Sequence, residues 1–393
     1  MSLKEREGKT EQIKAADIGM KYDADKSVQD LKDKQKGYKW ISAFFDKKDT
    51  NISLELVYDK DLLKKQFDKL ACLDSKNIVE PKDAGIKYTD NGYVIENEVM
   101  GTKLNKDGLY SKVENSVKKL ETSIDLEAEK LYINPQYTSK DQKLVAAKDL
   151  LNKYITSKTT YKLGGQSEVI DGSIIKQWIY VDKDFAAKID EEKVREYVQG
   201  LANKYNTVGR ARNFKTSSGA MIAVGGGDYG YAISVNDDVQ TLLAAIKEGQ
   251  VVEREPKYSK TAFGSISNDI GNTYVEVDMT KQHLWFYKNG ALVVEGDIVT
   301  GDLSKGNGTP TGIYSVKLKQ RNATLKGEDY ATPVSFWMPF VRGVGLHDAY
   351  WRQEFGKDIY KTNGSHGCVN CPPAVANAIF DNIQVGTPVV CFY

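Results

Sequence analysis

Hydrophobic positions change their period along the chain, and the change divides it. Leu62, Leu63, Phe67 and Leu70 recur at helical spacing, and so do Val194, Tyr197, Val198 and Leu201 further on. An extended segment precedes each group, opened by Trp40 in one case and by Trp178 in the other. Turn-rich, β-like sequence then leads to a glycine-x-x-aliphatic step, Gly101 to Leu104 and Gly230 to Ile233, and to a second amphipathic helix. That helix carries Val113, Val117 and Leu120 in the first copy and Val239, Leu243 and Ile246 in the second; the copies close on Asp125-Leu126-Glu127 and Val251-Val252-Glu253. The pattern predicts an internal repeat, with a connecting helix around Asp141 to Ile155 between the copies.

From Tyr274 the period shortens to two, the mark of half-buried strands. His283 to Lys288, then Asn289-Gly290, then Ala291 to Thr300 predicts a hairpin with a tight primed turn. Gly312 to Leu318 and Pro388 to Phe392 read as further strands. Pro372 to Ile383 reads as the one main helix, with Val375, Ile379, Phe380 and Ile383 on one face. The expected fold class is therefore multidomain: a C-terminal mostly-β domain, sandwich- or barrel-like with one main helix, preceded by two α+β repeat domains. The expected boundaries are a charged tail or truncated linker over 1–36, repeats over 37–140 and 141–267 (the latter with its connecting helix), and the C-terminal domain over 268–393.

A length of 393 residues suits two or three cores. The 55 basic and 54 acidic residues cancel, which argues against a nucleic acid as partner. No run approaches the roughly 18 apolar residues of a membrane span, and Met1 to Gly37 lacks the apolar core of a signal peptide. Four cysteines are too few for a disulfide framework, and three of them, Cys368, Cys371 and Cys391, lie near the C-terminus. Two of the three histidines, His347 and His366, precede Cys368 closely.

The segment Ser365-His366-Gly367-Cys368-Val369-Asn370-Cys371-Pro372-Pro373 sets a cysteine ahead of a helix start, where the helix dipole favours a thiolate. Gly367 permits close approach of backbone to ligand, so that amides around Cys368 can stabilise an oxyanion. His347, at the end of a strand-like run, is the candidate base for a thiol acyl transfer. Cys368 and Cys371 also form a Cys-x-x-Cys, which leaves a zinc site or a redox pair as rival readings; Pro372 stands where a c-type haem motif needs histidine. Cys72 and Cys391 read as small core residues, His283 as structural, and Gly225-Gly226-Gly227 as a turn, since it lacks the Lys-Ser/Thr of a phosphate loop.

The ordered set Thr309-Pro310-Thr311-Gly312, Leu346-His347 and Ser365 to Asn370 resembles the YkuD-type L,D-transpeptidase family over roughly residues 270–393. The preceding repeats are similar to the paired peptidoglycan-binding domains found before that catalytic domain. The resemblance implies a cysteine acyltransferase without metal or organic cofactor. In it Cys368 attacks the bond before the terminal D-alanine of a stem tetrapeptide, and the amine of a second stem resolves the thioester. It implies His347 as base, Asp348 as its orienting residue, His366 as a shaping residue, and Gly367 and Cys368 as oxyanion donors. Ser365, Asn370, Trp337 and Trp351 are the expected substrate contacts, although many members carry arginine where Asn370 stands. The implied partners are peptidoglycan stem peptides and carbapenem-type inhibitors, the implied state a monomer. The implied location is extracytoplasmic, with a removed membrane anchor and Met1-Ser2-Leu3 as an expression remnant. An L,D-carboxypeptidase, with water as acceptor, and a non-catalytic wall-binding protein are the alternatives.

Overall fold

The computed structural model describes residues 1–23, 28–29, 32–33, 55–327 and 331–393. The extended segment expected at Trp40 lies outside them. The chain forms two compact units, Met1–Asp149 and Leu150–Tyr393. Among the described residues no helix is long and apolar enough to cross a membrane.

In the first unit β1 (Ser2–Lys4) pairs antiparallel with β2 (Thr10–Gln12) and parallel with a strand near the end of the repeat. β3 (Lys21–Asp23) pairs with β4 (Glu55–Val57), β5 (Gly85–Thr89) forms a hairpin with β6 (Gly92–Glu96), and β7 (Ser123–Asp125) is the parallel partner of β1. Helices Lys60–Phe67 and Lys106–Lys118 start where Asp59 and Asn105 accept hydrogen bonds from first-turn amides. They bury Leu63, Phe67, Leu109, Val113 and Val117 in one core with Leu3, Ile13 and Ile18. Residues 1–23 are thus not a tail. A three-residue strand with one inward leucine, Leu3 between Ser2 and Lys4, carries too little periodicity to betray itself. Leu120 lies beyond its helix, 54% exposed and with φ of 59°, so the second helical face ends earlier than its spacing suggested.

The second repeat opens after helix Gln142–Ile155. β8 (Lys158–Leu163) pairs antiparallel with β9 (Gln166–Ile170) and parallel with a late strand, as β1 does. β10 (Ile179–Val181) pairs with β11 (Ala187–Ile189) and β12 (Arg212–Lys215) with β13 (Met221–Val224). β14 (Ala232–Ile233) precedes β15 (Val251–Arg254), the parallel partner of β8, and pairs with β16 (Tyr258–Lys260). Helices Glu191–Tyr205 and Val235–Glu248 bury the predicted faces. The two opening hairpins extend each repeat on its N-terminal side beyond the expected helices.

The C-terminal domain is two sheets around one core. The first has strand order β19-β18-β17-β25-β20 and comprises β17 (Tyr274–Asp278), β18 (His283–Lys288), β19 (Ala291–Asp297), β20 (Gly312–Ser315) and β25 (Pro388–Phe392). The β18–β19 turn has positive φ at Asn289 (51°) and Gly290 (82°), as the Asn-Gly pair predicts. The second sheet, in order, is β21 (Gln320–Lys326), β22 (Ala331–Val341), β23 (Val344–Asp348) and β24 (Val369–Cys371). Val275, Val277, Leu284 and Phe286 of the first sheet meet Met338, Phe340, Leu346 and Val369 of the second, with Val375, Ile379 and Phe380 of helix Pro373–Asn382.

The second repeat is built onto this domain. Edge strand β20 is covered by residues 226–229: Ile313 N–H donates to Gly226 O (3.2 Å) and Tyr229 N–H to Ile313 O (3.1 Å). Gly227, at φ of 82°, lies so close that a Cβ there would fall 2.5 Å from the Ile313 carbonyl carbon. The Gly225-Gly226-Gly227 run is therefore a close approach between backbones as well as a turn. Phe214, Val224 and Tyr229 pack with Ile270, Ile313, Val390 and Phe392 into a shared core. Nearby, Ser217 in the β12–β13 turn donates from its N–H (2.9 Å) and its Oγ (2.6 Å) to the fully buried carboxylate of Glu276.

Candidate active site

Parallel pairing of β23 with β24 sets His347 opposite Asn370 and brings the end of one strand beside the turn that precedes the other. That turn is Ser365 to Cys368. Ser365 Oγ donates to Cys368 O (2.5 Å) and accepts from Gly367 N–H (3.0 Å), while Gly367, at φ of 125°, has the backbone freedom the turn needs. The segment 299–302 braces it: Asn370 and Val299 exchange two backbone hydrogen bonds (2.9 Å each), and Ser365 N–H donates to Thr300 O (2.9 Å). Thr309, from the Thr-Pro-Thr-Gly run, accepts from Gly301 N–H (3.0 Å) and donates to Gly367 O (2.7 Å).

Cys368 is partly exposed on the floor of a cleft lined also by His347, Trp351, Arg352, Ser365, His366 and Asn370, with Leu325 and Thr332 on its rim. Burial of the sulfur pushes its pKa up to about 11, against a lowering contribution from the Gly345 backbone amide. Its hydrogen bond runs to Gly343 O at 3.6 Å. Strand β24 separates the cysteine from the helix at Pro373, so the helix start does not supply the thiolate that the sequence suggested. At neutral pH Cys368 rests as a thiol and needs a base.

His347 is 3% exposed. Its Nδ1 donates to Asp348 O at 2.9 Å, and its Nε2 accepts from Asn370 Nδ2, also at 2.9 Å. Burial holds the imidazole pKa below its ordinary value; the Asp348 carbonyl and charge oppose this, and Arg352 adds to it. The Asp348 carboxylate is itself fixed by the N–H groups of Ser335 and Phe336, at 2.8 Å each. Trp337 and Trp351 stand at 5.9 Å from the His347 ring, centroid to centroid, Trp351 stacked and Trp337 tilted. Trp351 lines the cleft; Trp337 backs the imidazole instead, and Met338 is core. His366 is exposed at the cleft.

Asn370, expected at the substrate, lines the cleft but is 3% exposed, and its Oδ1 accepts from Arg352 Nε at 2.8 Å while its Nδ2 donates to His347. Arg352 was not legible in the sequence, because it sits in a polar loop without a motif. Cys371 points into the core, fully buried, and its thiol is pushed well up by burial and by Asp348. The two sulfurs of the Cys-x-x-Cys therefore face different environments, and among the described residues no group of three or more metal-ligating side chains includes either of them.

A model of the L,D-transpeptidase catalytic domain matches residues 272–391, and one of a peptidoglycan binding domain matches 11–125 and 137–253. The chain is 37% identical to the Ldtfm-avibactam carbamoyl enzyme, covering 97% of that chain and 63% of this one with a TM-score of 0.54. The chain belongs to the L,D-transpeptidase family. A cysteine-to-serine mutant of Enterococcus faecium L,D-transpeptidase is 36% identical, with 100% of it and 64% of this chain covered and a TM-score of 0.54. No curated protein matches the sequence. Both structures cover less than two thirds of this L,D-transpeptidase, whose two repeats are each matched by the peptidoglycan-binding model.

Proposed function

We propose that the Cys368 thiol attacks the carbonyl before the terminal D-alanine of a peptidoglycan stem tetrapeptide, and that a second stem resolves the resulting thioester. The observation that carries this reading is that Cys368 and His347 line one cleft, with the His347 Nδ1 hydrogen-bonded to Asp348 O and burial disfavouring charge on both side chains. With the Nδ1 proton held by Asp348 O, the lone pair of His347 lies on Nε2, the atom a general base must use. As the Sγ–C bond forms, the thiol proton passes to Nε2; as the C–N bond breaks, it passes on to the departing D-alanine amine. The acceptor amine then attacks the thioester, and its proton returns to sulfur by the same route. Asn370 Nδ2 must leave Nε2 for the base to act, so the resting arrangement is one step short of the reactive one.

Because Gly367 N–H is occupied by Ser365 Oγ, the oxyanion falls to the Cys368 amide, and Ser365 and Gly367 act by shaping the turn. His366 and Trp351 bound the substrate cleft; Trp337, Asp348 and Asn370 position His347. No step calls for a metal or organic cofactor. A carbapenem, an activated acyl compound, should be trapped by the same sulfur. The repeats, from residue 1 to about 267, would hold the monomeric chain on the cell wall outside the cytoplasmic membrane.

Incubation with a disaccharide-tetrapeptide tests the reading by mass spectrometry. Cross-linked dimer with free D-alanine is expected from the wild type and nothing from Cys368→Ala. Product from Cys368→Ala refutes it, and D-alanine release without dimer replaces transfer by hydrolysis.

A further inference from the structure

The cleft beside Cys368 holds a charge that the chemistry above does not use. Arg352 is the only lysine or arginine among the described lining residues. It is half-buried, and burial draws its pKa down. Its Nε donates to Asn370 Oδ1 (2.8 Å) and its Nη1 to Asn363 O (3.0 Å), both neutral acceptors. These leave most of its five N–H donors unspent. Among the described residues no carboxylate lies within ion-pair distance of it. Asp302 acts on it from further off, and the oxygens of that carboxylate accept instead from Ser304 Oγ (2.6 Å) and Gly364 N–H (3.2 Å).

A half-buried guanidinium without an anion has spare donors for one, and its planar fork matches carboxylate and phosphate groups, of which the acyl donor carries the first. Resting on the acyl-transfer reading, we propose that Arg352 binds a carboxylate of the acyl donor, that of the departing D-alanine. In the donor this group is separated from the scissile carbonyl carbon only by the amide nitrogen and one Cα, so the two carbons lie within about 4 Å of each other. A receptor for it must share the cleft with the nucleophile, as Arg352 does. The carboxylate also comes to lie next to the amine that must be protonated as it leaves. Asn370 ties this receptor to the base, since one amide group contacts both Arg352 and His347.

The test uses the full chain and tetrapeptide donors with lysine at the third position, ending in D-alanine or in D-alanine amide. Wild type should favour the acid in kcat/KM by roughly 10- to 100-fold, the range of a charge-assisted pair. Arg352→Gln should remove the preference, and Arg352→Lys should keep part of it, since it retains charge but not the fork. The ratio of the two donors is the readout, because any disturbance of Asn370 and His347 slows both equally. Unchanged melting and an unchanged far-UV circular dichroism spectrum identify Arg352→Gln as folded. Equal rates on acid and amide in wild type, or a preference that survives Arg352→Gln, overturn the proposal. If wild type converts no donor at all, it is the acyl-transfer reading that fails.

Discussion

Replacing Gly227 by alanine should separate the second repeat from the edge of the catalytic sheet. The new Cβ would meet the backbone of Ile313, 2.5 Å from its carbonyl carbon and 2.6 Å from its nitrogen, so no side-chain rotation relieves it. The left-handed backbone at φ of 82° costs an alanine about 1–2 kcal/mol by itself. If the segment moves away, the two hydrogen bonds with Ile313 go as well, at about 0.5–1.5 kcal/mol each. The sum is roughly 2–5 kcal/mol, before any loosening of the core that Phe214, Val224 and Tyr229 share with Val390 and Phe392. Gly219→Ala is the control, because Gly219 has a φ of 92° but nothing within 4 Å of its Cβ position. Its cost should be the backbone strain alone. Urea titrations read by loss of carbapenem acylation report on the catalytic unit without assuming that the whole chain unfolds in one step. A Gly227→Ala midpoint no lower than that of Gly219→Ala would refute the argument.

Four further outcomes follow from the site. His347→Ala should stay folded and lose on the order of 10²- to 10⁴-fold in acylation rate, measured by intact-protein mass spectrometry against time. Cys371→Ala should keep most of its activity and lose stability by about 0.5–3 kcal/mol, seen in a melting curve, because its sulfur fills core and not cleft. The pH profile of acylation should have its acidic limb below the ordinary imidazole value, since the folded His347 resists protonation. The unfolded chain takes up that proton first, so stability should be present above about pH 6.5 and fall as the pH drops below it, a trend that His347→Gln should weaken in urea titrations at several pH values.

The elements most legible in the sequence were those whose signal is local. Asn289-Gly290 between alternating strands fixed a hairpin, and the faces of helices Glu191–Tyr205 and Pro373–Asn382 repeat often enough to be counted. Cys368, His347, Ser365 and Gly367 were legible because they fall within one motif and its upstream histidine. What escaped depends on partners distant in sequence. β1 pairs with a strand at the far end of its repeat, so its neighbours say little about it. The role of Asn370 is decided by β23 and by a loop arginine, and that of Gly227 by Ile313. The upward push on the Cys368 thiol likewise comes from its burial in the folded domain, which the spacing of residues before a helix does not encode.

In each repeat the first and last strands run side by side in the same direction, Ser2–Lys4 along Ser123–Asp125 and Lys158–Tyr161 along Val251–Arg254. The chain therefore enters such a module at one end of its central strand and departs from the other, like a thread through a bead. A hairpin-like module, whose ends emerge together, would have to double back before the next could begin. Copy number is thus a quantity that gene duplication can alter without redesigning any turn within the module.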